Sequence, residues 1–229
     1  EITVKKASEK WPLMRNDDLL GAVFSPSDGR VNPSDVCAAL VKASKSRGLT
    51  VFEDTPVTGI STINRRVSSI QTSKGTISCD IIVNCAGMWG RQIAGMAEVA
   101  APLHACEHFY LLTEIINSIN GPLPTLSDHD GHLYLRDESG GLLIGCFEPK
   151  AKSLEMEKIP SDFAFDLLPE DWSHIEPILK NAMYRVPELE NVGLKKLLNG
   201  PESFTPDDNF LMGESPELRG FYLGCGMCS

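Results

Sequence analysis

The sequence predicts an α/β plus α+β protein, in which a partial Rossmann-like nucleotide-binding domain accompanies a second domain built on a mostly antiparallel sheet. Three observations carry this expectation. The apolar run Ile81-Ile82-Val83-Asn84 ends in the small-residue turn Cys85-Ala86-Gly87 and a helix start at Met88-Trp89-Gly90. A continuous Ile/Val run suits a strand buried on both faces, as in a parallel sheet. Small residues past its carboxyl end let backbone approach a phosphate-bearing ligand. The order of elements ahead of that run is helix, strand and three-stranded meander, and short strands such as Leu133 to Arg136 recur behind it.

Each element has a local reason. The segment around Trp11 and Leu20 to Phe24 is apolar enough to pack with the second domain's sheet. Asn32-Pro33-Ser34-Asp35 supplies an N-cap, a proline at the first helical position and an acid in the first turn, so a helix should run to about Arg47 and stop at Gly48. Val36, Leu40 and Ala43 share one face of it. Leu49 to Glu53 reads as a strand and Asp54-Thr55-Pro56 as a turn. Val57 to Ile63 and Val67 to Thr72 form a hairpin across Asn64-Arg65-Arg66, and Thr76 to Cys79 adds a third strand after Gly75. Trp172, Ile175 and Leu179 mark an amphipathic helical region that Pro177 should break or restart.

Composition narrows the function classes. With 229 residues and 42% hydrophobic content the chain can bury a sizeable core. A formal net charge of −10 argues against nucleic acid or an anionic membrane as partner, because both demand a basic surface. No apolar stretch approaches the roughly 18 residues of a membrane span. Seven cysteines without a regular framework fit free thiols in a reducing compartment. The chain begins at Glu1, and no strand feeds a G-x-G-x-x-G turn that opens a helix. It is therefore expected to be a fragment that lacks a first βαβ unit and whatever follows Ser229.

Three constellations bear on chemistry. His104, Cys106 and His108 alternate, so on a strand they share a face; a metal would still need a fourth ligand, and no metal site is expected. Asp128, Asp130 and His132 around Gly131 read as an Asp-Gly turn with solvated side chains. Cys225-Gly226-Met227-Cys228 has the C-x-x-C spacing of a dithiol, yet no helix follows to lower a thiol pKa, so a glycine turn is favoured.

Asp28-Gly29-Arg30-Val31-Asn32-Pro33 ahead of the first helix and Asn84-Cys85-Ala86-Gly87 behind the apolar strand resemble the FAD-dependent amine oxidoreductases of the D-amino-acid oxidase superfamily. Sarcosine and dimethylglycine dehydrogenases belong to that group. The blocks Pro102 to Thr113, Glu170-Asp171-Trp172, Val186 to Glu190 and Pro201 to Pro216 resemble most closely the subgroup of pyruvate dehydrogenase phosphatase regulatory subunits. The resemblance implies FAD as cofactor, with Val57, Ala86, Gly87 and Trp89 along its ADP part and Gly226 and Met227 beside the flavin. It also implies that His108 and Tyr110 lie on a substrate-side strand facing the flavin. There Tyr110 offers a hydrogen bond or proton acceptor to an amine and His108 a titratable neighbour. An equal alternative is that Tyr110 fills core volume.

On this basis residues 29–100 and 201–229 are expected to form a discontinuous FAD-binding domain, and 1–28 and 101–200 a substrate-type domain. Two functions follow. The favoured one is a mitochondrial matrix protein that regulates a pyruvate dehydrogenase phosphatase catalytic subunit. The other is an FAD-dependent dehydrogenase of a secondary or tertiary amine such as sarcosine or dimethylglycine.

Overall fold

A computed structural model describes residues 1–160 and 162–228; Ser161 and Ser229, the last residue of the expected 201–229 segment, lie outside the described residues. In chain order the elements are α1 (Val4–Lys10), α2 (Pro33–Lys45), β1 (Val57–Ile63), β2 (Arg66–Thr72), β3 (Gly75–Ser78), β4 (Ile82–Asn84), α3 (Gly90–Gly95) and β5 (His104–Thr113). They continue as β6 (Leu126–Asp128), β7 (Leu133–Glu138), β8 (Gly141–Cys146), β9 (Lys152–Ser153), α4 (Trp172–Arg185), β10 (Leu194–Phe204), β11 (Leu211–Glu214) and β12 (Phe221–Cys225). The chain divides into two compact units, Glu1–Asp28 with Cys106–Pro201, and Gly29–Ala105 with Glu202–Ser229.

The first unit is built on an antiparallel sheet in the order β10-β5-β8-β7-β6, with β9 on the free end of β5. Alternation along β5 and β7 sends Phe109, Leu111, Leu133 and Leu135 to one face, where Ile175, Ile178 and Ala182 of α4 cover them. Trp11 and Met14 join that core, and Trp11 Nε1 donates to Pro124 O at 2.6 Å. Of the segment from Leu20 to Phe24, expected to pack there too, Ala22 lies against this core through its bridge to Ile2, whereas Leu20 and Val23 are exposed. Helix α4 runs unbroken through Pro177, against expectation. Proline there removes a single hydrogen bond near the helix start, and burial of Ile175, Ile178 and Ala182 outweighs that loss. The end of α4 is tied by Arg185, which is 5% exposed and whose guanidinium reaches Asp18, Asp128 and Arg15 O at 2.7 to 3.0 Å. Asp128 is thus an ion-pair partner rather than a solvated turn residue, because a buried guanidinium demands a counter-charge.

The second unit holds the meander β1-β2-β3 and the three-stranded sheet β11-β12-β4. Asn32 caps α2 by accepting from Ser34 N and Asp35 N, and the helix gives way at Lys45 to a turn ending at Gly48, whose φ is 97°. Asn64 and Arg65 both take positive φ, the two-residue hairpin geometry that follows the right-handed twist of β1 and β2. Two expectations fail here. Leu49 to Glu53 is irregular rather than a strand: among the described residues no strand pairs with it, and Leu49, Val51 and Phe52 are exposed. The run around β4 is not buried on both faces either. Ile81 and Val83 are exposed because one face of β4 lies uncovered among the described residues, while Ile82 and Asn84 on the other face are covered.

Candidate functional site

In the second unit, β4 and β12 run parallel, with Ile82 opposite Phe221 and Asn84 opposite Leu223. Their carboxyl ends therefore open side by side, β4 into Cys85 to Trp89 and β12 into Gly226-Met227. Buried Asn84 shapes the first turn. Its Nδ2 donates to Gly90 O at 2.8 Å, and its Oδ1 accepts from Ala86 N at 3.2 Å. Cys225 Sγ donates to Asn84 O at 3.0 Å and ties the two strand ends together. Gly87 stands at φ 53°, and a Cβ built there would meet no atom within 4 Å, so the backbone faces open space. Gly226 stands at φ 68° in a tighter place, where a Cβ would come within 2.8 Å of Thr205 and Leu103 side chains. Trp89 and Met227 are 42% and 50% exposed, apolar surfaces beside the two turns. Val57 opens β1 in the separate meander sheet.

A bare-backbone turn with an exposed indole at the carboxyl ends of parallel strands is the place where α/β sheets take nucleotides. These residues fit the FAD that the resemblance implies. The C-x-x-C pair does not add a redox site: Cys225 is buried, burial pushes its thiol up, and Cys228 Sγ donates to Gly226 O at 3.2 Å. All seven thiols are free.

In the first unit the sheet face opposite α4 carries a second cluster. Tyr110 of β5 and Tyr134 of β7 both stand opposite Gly145 of β8, so the three lie in one row. A Cβ on Gly145 would collide with the Tyr134 ring, which lies directly over that glycine. Burial pushes the Tyr134 phenol above its ordinary value. His108 occupies the same face two residues before Tyr110, and Arg136 the same face two residues after Tyr134. Glu148 completes the group, with Oε2 at 3.0 Å from His108 Nδ1 and Oε1 accepting from Phe109 N at 3.1 Å.

Thus the structure sets His108 and Tyr110 on one face, each partly exposed. Tyr134 and Glu148 are additions. The alternation Leu133-Tyr134-Leu135-Arg136 could have pointed to the tyrosine, whereas nothing local marks Glu148, which stands 40 residues from its histidine. Among the described residues no group of three or more His, Cys, Asp or Glu side chains could hold a metal ion.

Residues 2–229 match the FAD dependent oxidoreductase (DAO) family. The chain belongs to that family. This FAD-dependent oxidoreductase chain is 43% identical over 224 residues to human mitochondrial sarcosine dehydrogenase (Homo sapiens), covering 96% of this chain and 24% of that protein. It is 39% identical over 231 residues to the mouse (Mus musculus) mitochondrial pyruvate dehydrogenase phosphatase regulatory subunit, covering 100% of this chain and 26% of that protein. The chain thus spans about a quarter of the length of each relative. Among solved structures, L-proline dehydrogenase from P.horikoshii superposes with a TM-score of 0.82 at 26% identity, covering 99% of this chain and 58% of that one. The oxidoreductase fold of the family is mixed α/β with antiparallel sheets, and its cofactor is FAD.

Proposed function

We propose that the chain forms part of an oxidoreductase that uses FAD to oxidise a secondary or tertiary N-methyl amine such as sarcosine or dimethylglycine. The observation that carries this reading is the row Tyr110-Gly145-Tyr134 with His108 beside it: hydroxyls and an imidazole on the face of the sheet that the helical core does not use. FAD, when bound, accepts the hydride. What the chain supplies is positioning and proton handling. The Tyr110 hydroxyl hydrogen-bonds the amine and His108 is the titratable neighbour that keeps its nitrogen unprotonated. On the cofactor side we assign Ala86, Gly87 and Trp89 to the ADP part, Gly226 and Met227 to the flavin, and Val57 to the adenine. Residues 29–100 with 201–229 are the cofactor-binding part and 1–28 with 101–200 the substrate part. The similarity to a sarcosine dehydrogenase supports the substrate class.

The test is anaerobic mixing of the full-length flavoprotein with sarcosine or dimethylglycine. Either amine is expected to bleach the flavin, and Tyr110→Phe to slow the reduction by roughly tenfold or more with FAD content unchanged. No bleaching by either amine overturns the reading. A second reading, binding and regulation of a pyruvate dehydrogenase phosphatase catalytic subunit, is favoured by the 39% identity to the mouse regulatory subunit over the whole chain. Its sign is co-purification of that catalytic subunit from mitochondria together with a flavin that neither amine bleaches. Under both readings the protein works in mitochondria, and the matrix is the compartment we infer.

A further inference from the structure

Glu148 lies just past β8, and its carboxylate is engaged at both oxygens: one accepts the Phe109 N–H at 3.1 Å, the other faces His108 Nδ1 at 3.0 Å. Its side chain is 5% exposed, against 17% for His108. Burial pushes the Glu148 carboxyl up, but the hydrogen bond from His108, with those from backbone N–H groups including Phe109, holds it below the usual glutamate range. It is therefore ionised at neutral pH. An ionised carboxylate can only accept, so a neutral imidazole facing it carries its proton on Nδ1 and its lone pair on Nε2. The same carboxylate grips the backbone N–H of the next residue, which ties the ring to its strand.

We propose that Glu148 is a positioning residue that locks His108 in the Nδ1–H tautomer and leaves Nε2 as the basic atom on the sheet face shared with Tyr110 and Tyr134. This rests on the amine-oxidising reading. There an N–H bond of the substrate ammonium breaks and an Nε2–H bond forms. The positive charge passes to the ring, 3.0 Å from Glu148, and nothing is oxidised or reduced in that step. Among the described residues, Cys106 on β5, Tyr134 on β7 and Cys146 on β8 lie close enough to feel the Glu148 charge, and Tyr110 and Arg136 act on Tyr134. Burial pushes the Cys106, Cys146 and Tyr134 groups up, so they stay neutral near pH 7.

Glu148→Gln keeps the shape and an acceptor for Phe109 N–H, but it turns an amide N–H toward Nδ1 and forces the opposite tautomer. In the full-length holoprotein, this variant is expected to slow flavin reduction by sarcosine about 100-fold or more at unchanged FAD content. In a His108→Asn background it should add less than about twofold, since its effect passes through the ring. Nitrogen NMR of histidine-labelled protein gives a readout independent of turnover: Nδ1–H in the wild type, Nε2–H in Glu148→Gln, and Nδ1–H again in Glu148→Asp. An Nε2–H tautomer in the wild type, or a Glu148→Gln effect undiminished in the His108→Asn background, overturns the proposal. If neither amine bleaches the wild-type flavin, the amine reading falls, and the ring nitrogens still decide whether Glu148 sets the tautomer. Should Glu148→Gln fail to fold, recovery of both tautomer and rate in Glu148→Asp supports the role, and a wild-type tautomer with the rate still lost counts against it.

Discussion

At the scale of single residues, the chain separates conformational from chemical demands. Gly87 is a conformational case: its φ of 53° and the open space around it belong to a backbone that a ligand can approach. A β-branched residue at that φ is strained and also fills the approach. Gly87→Val in the full-length protein is expected to lower bound FAD to well below one per chain, measured as the ratio of flavin to protein absorbance. Undiminished flavin content would remove Gly87 from the cofactor site. Arg185 and Glu148 are chemical cases. Each is a buried charge held by partners from distant parts of the chain, Asp18 and Asp128 for the arginine and His108 for the glutamate. Losing Asp128, the buried partner of Arg185, leaves the guanidinium charge short of compensation, and breaking a buried pair in this way typically costs about 3–5 kcal/mol.

At the scale of elements, burial decides between competing local signals. Helix α4 tolerates Pro177 because Ile175, Ile178 and Ala182 gain more from the sheet than the missing hydrogen bond loses. Pro177→Ala restores a donor toward Ser173 O without touching that face. It is expected to raise the stability of the chain by about 1–2 kcal/mol, read as a shift of the urea midpoint. An unchanged or lowered midpoint would mean that the proline's stiffening of the unfolded chain outweighs the bond. Helix α2 shows the converse: capped and correctly stopped, it buries no residue, and Leu40 is 62% exposed. Its cap, N1 proline and terminal turn are local features, so sequence marks the helix's ends whether or not a face is packed.

For the whole molecule, charge links stability to pH. The Asp18 carboxyl lies below its ordinary value through its hydrogen bond to Arg185, and Asp171 lies below it through hydrogen bonds from Ser173 and Lys152. Glu148, pushed up by burial, is brought below its ordinary value by His108. Each folded value is lower than the unfolded one, so these groups stabilise fully above the ordinary carboxyl values of 3.8 and 4.5 and lose that contribution as the pH falls through the folded values. The urea midpoint is therefore expected to hold between about pH 7 and 5 and to drop below about pH 4. A midpoint unchanged at pH 3 would show that these contacts contribute nothing net. The chain is close to neutral near pH 5 and turns increasingly positive below it, so growing like-charge repulsion adds to the loss of these pairs in the same acid range.

Sequence alone determined whatever depends on short-range sterics: the Asn32 cap, the Gly48 stop, the Asn64-Arg65 hairpin turn and the small-residue turn at Ala86-Gly87. It also carried the alternation that puts His108 and Tyr110 on one face of β5, and the motifs by which the family is legible. Tertiary structure decided what depends on a neighbour. Leu49 to Glu53 has strand composition but, among the described residues, no strand beside it, and the apolar run at β4 ends as an edge with Val83 exposed. Pairing is a property of two segments, so one segment's pattern cannot state it. The same reason hides Glu148. A carboxylate's role is set by what faces it, and the separation of 40 positions from His108 is closed only when β5 and β8 pair.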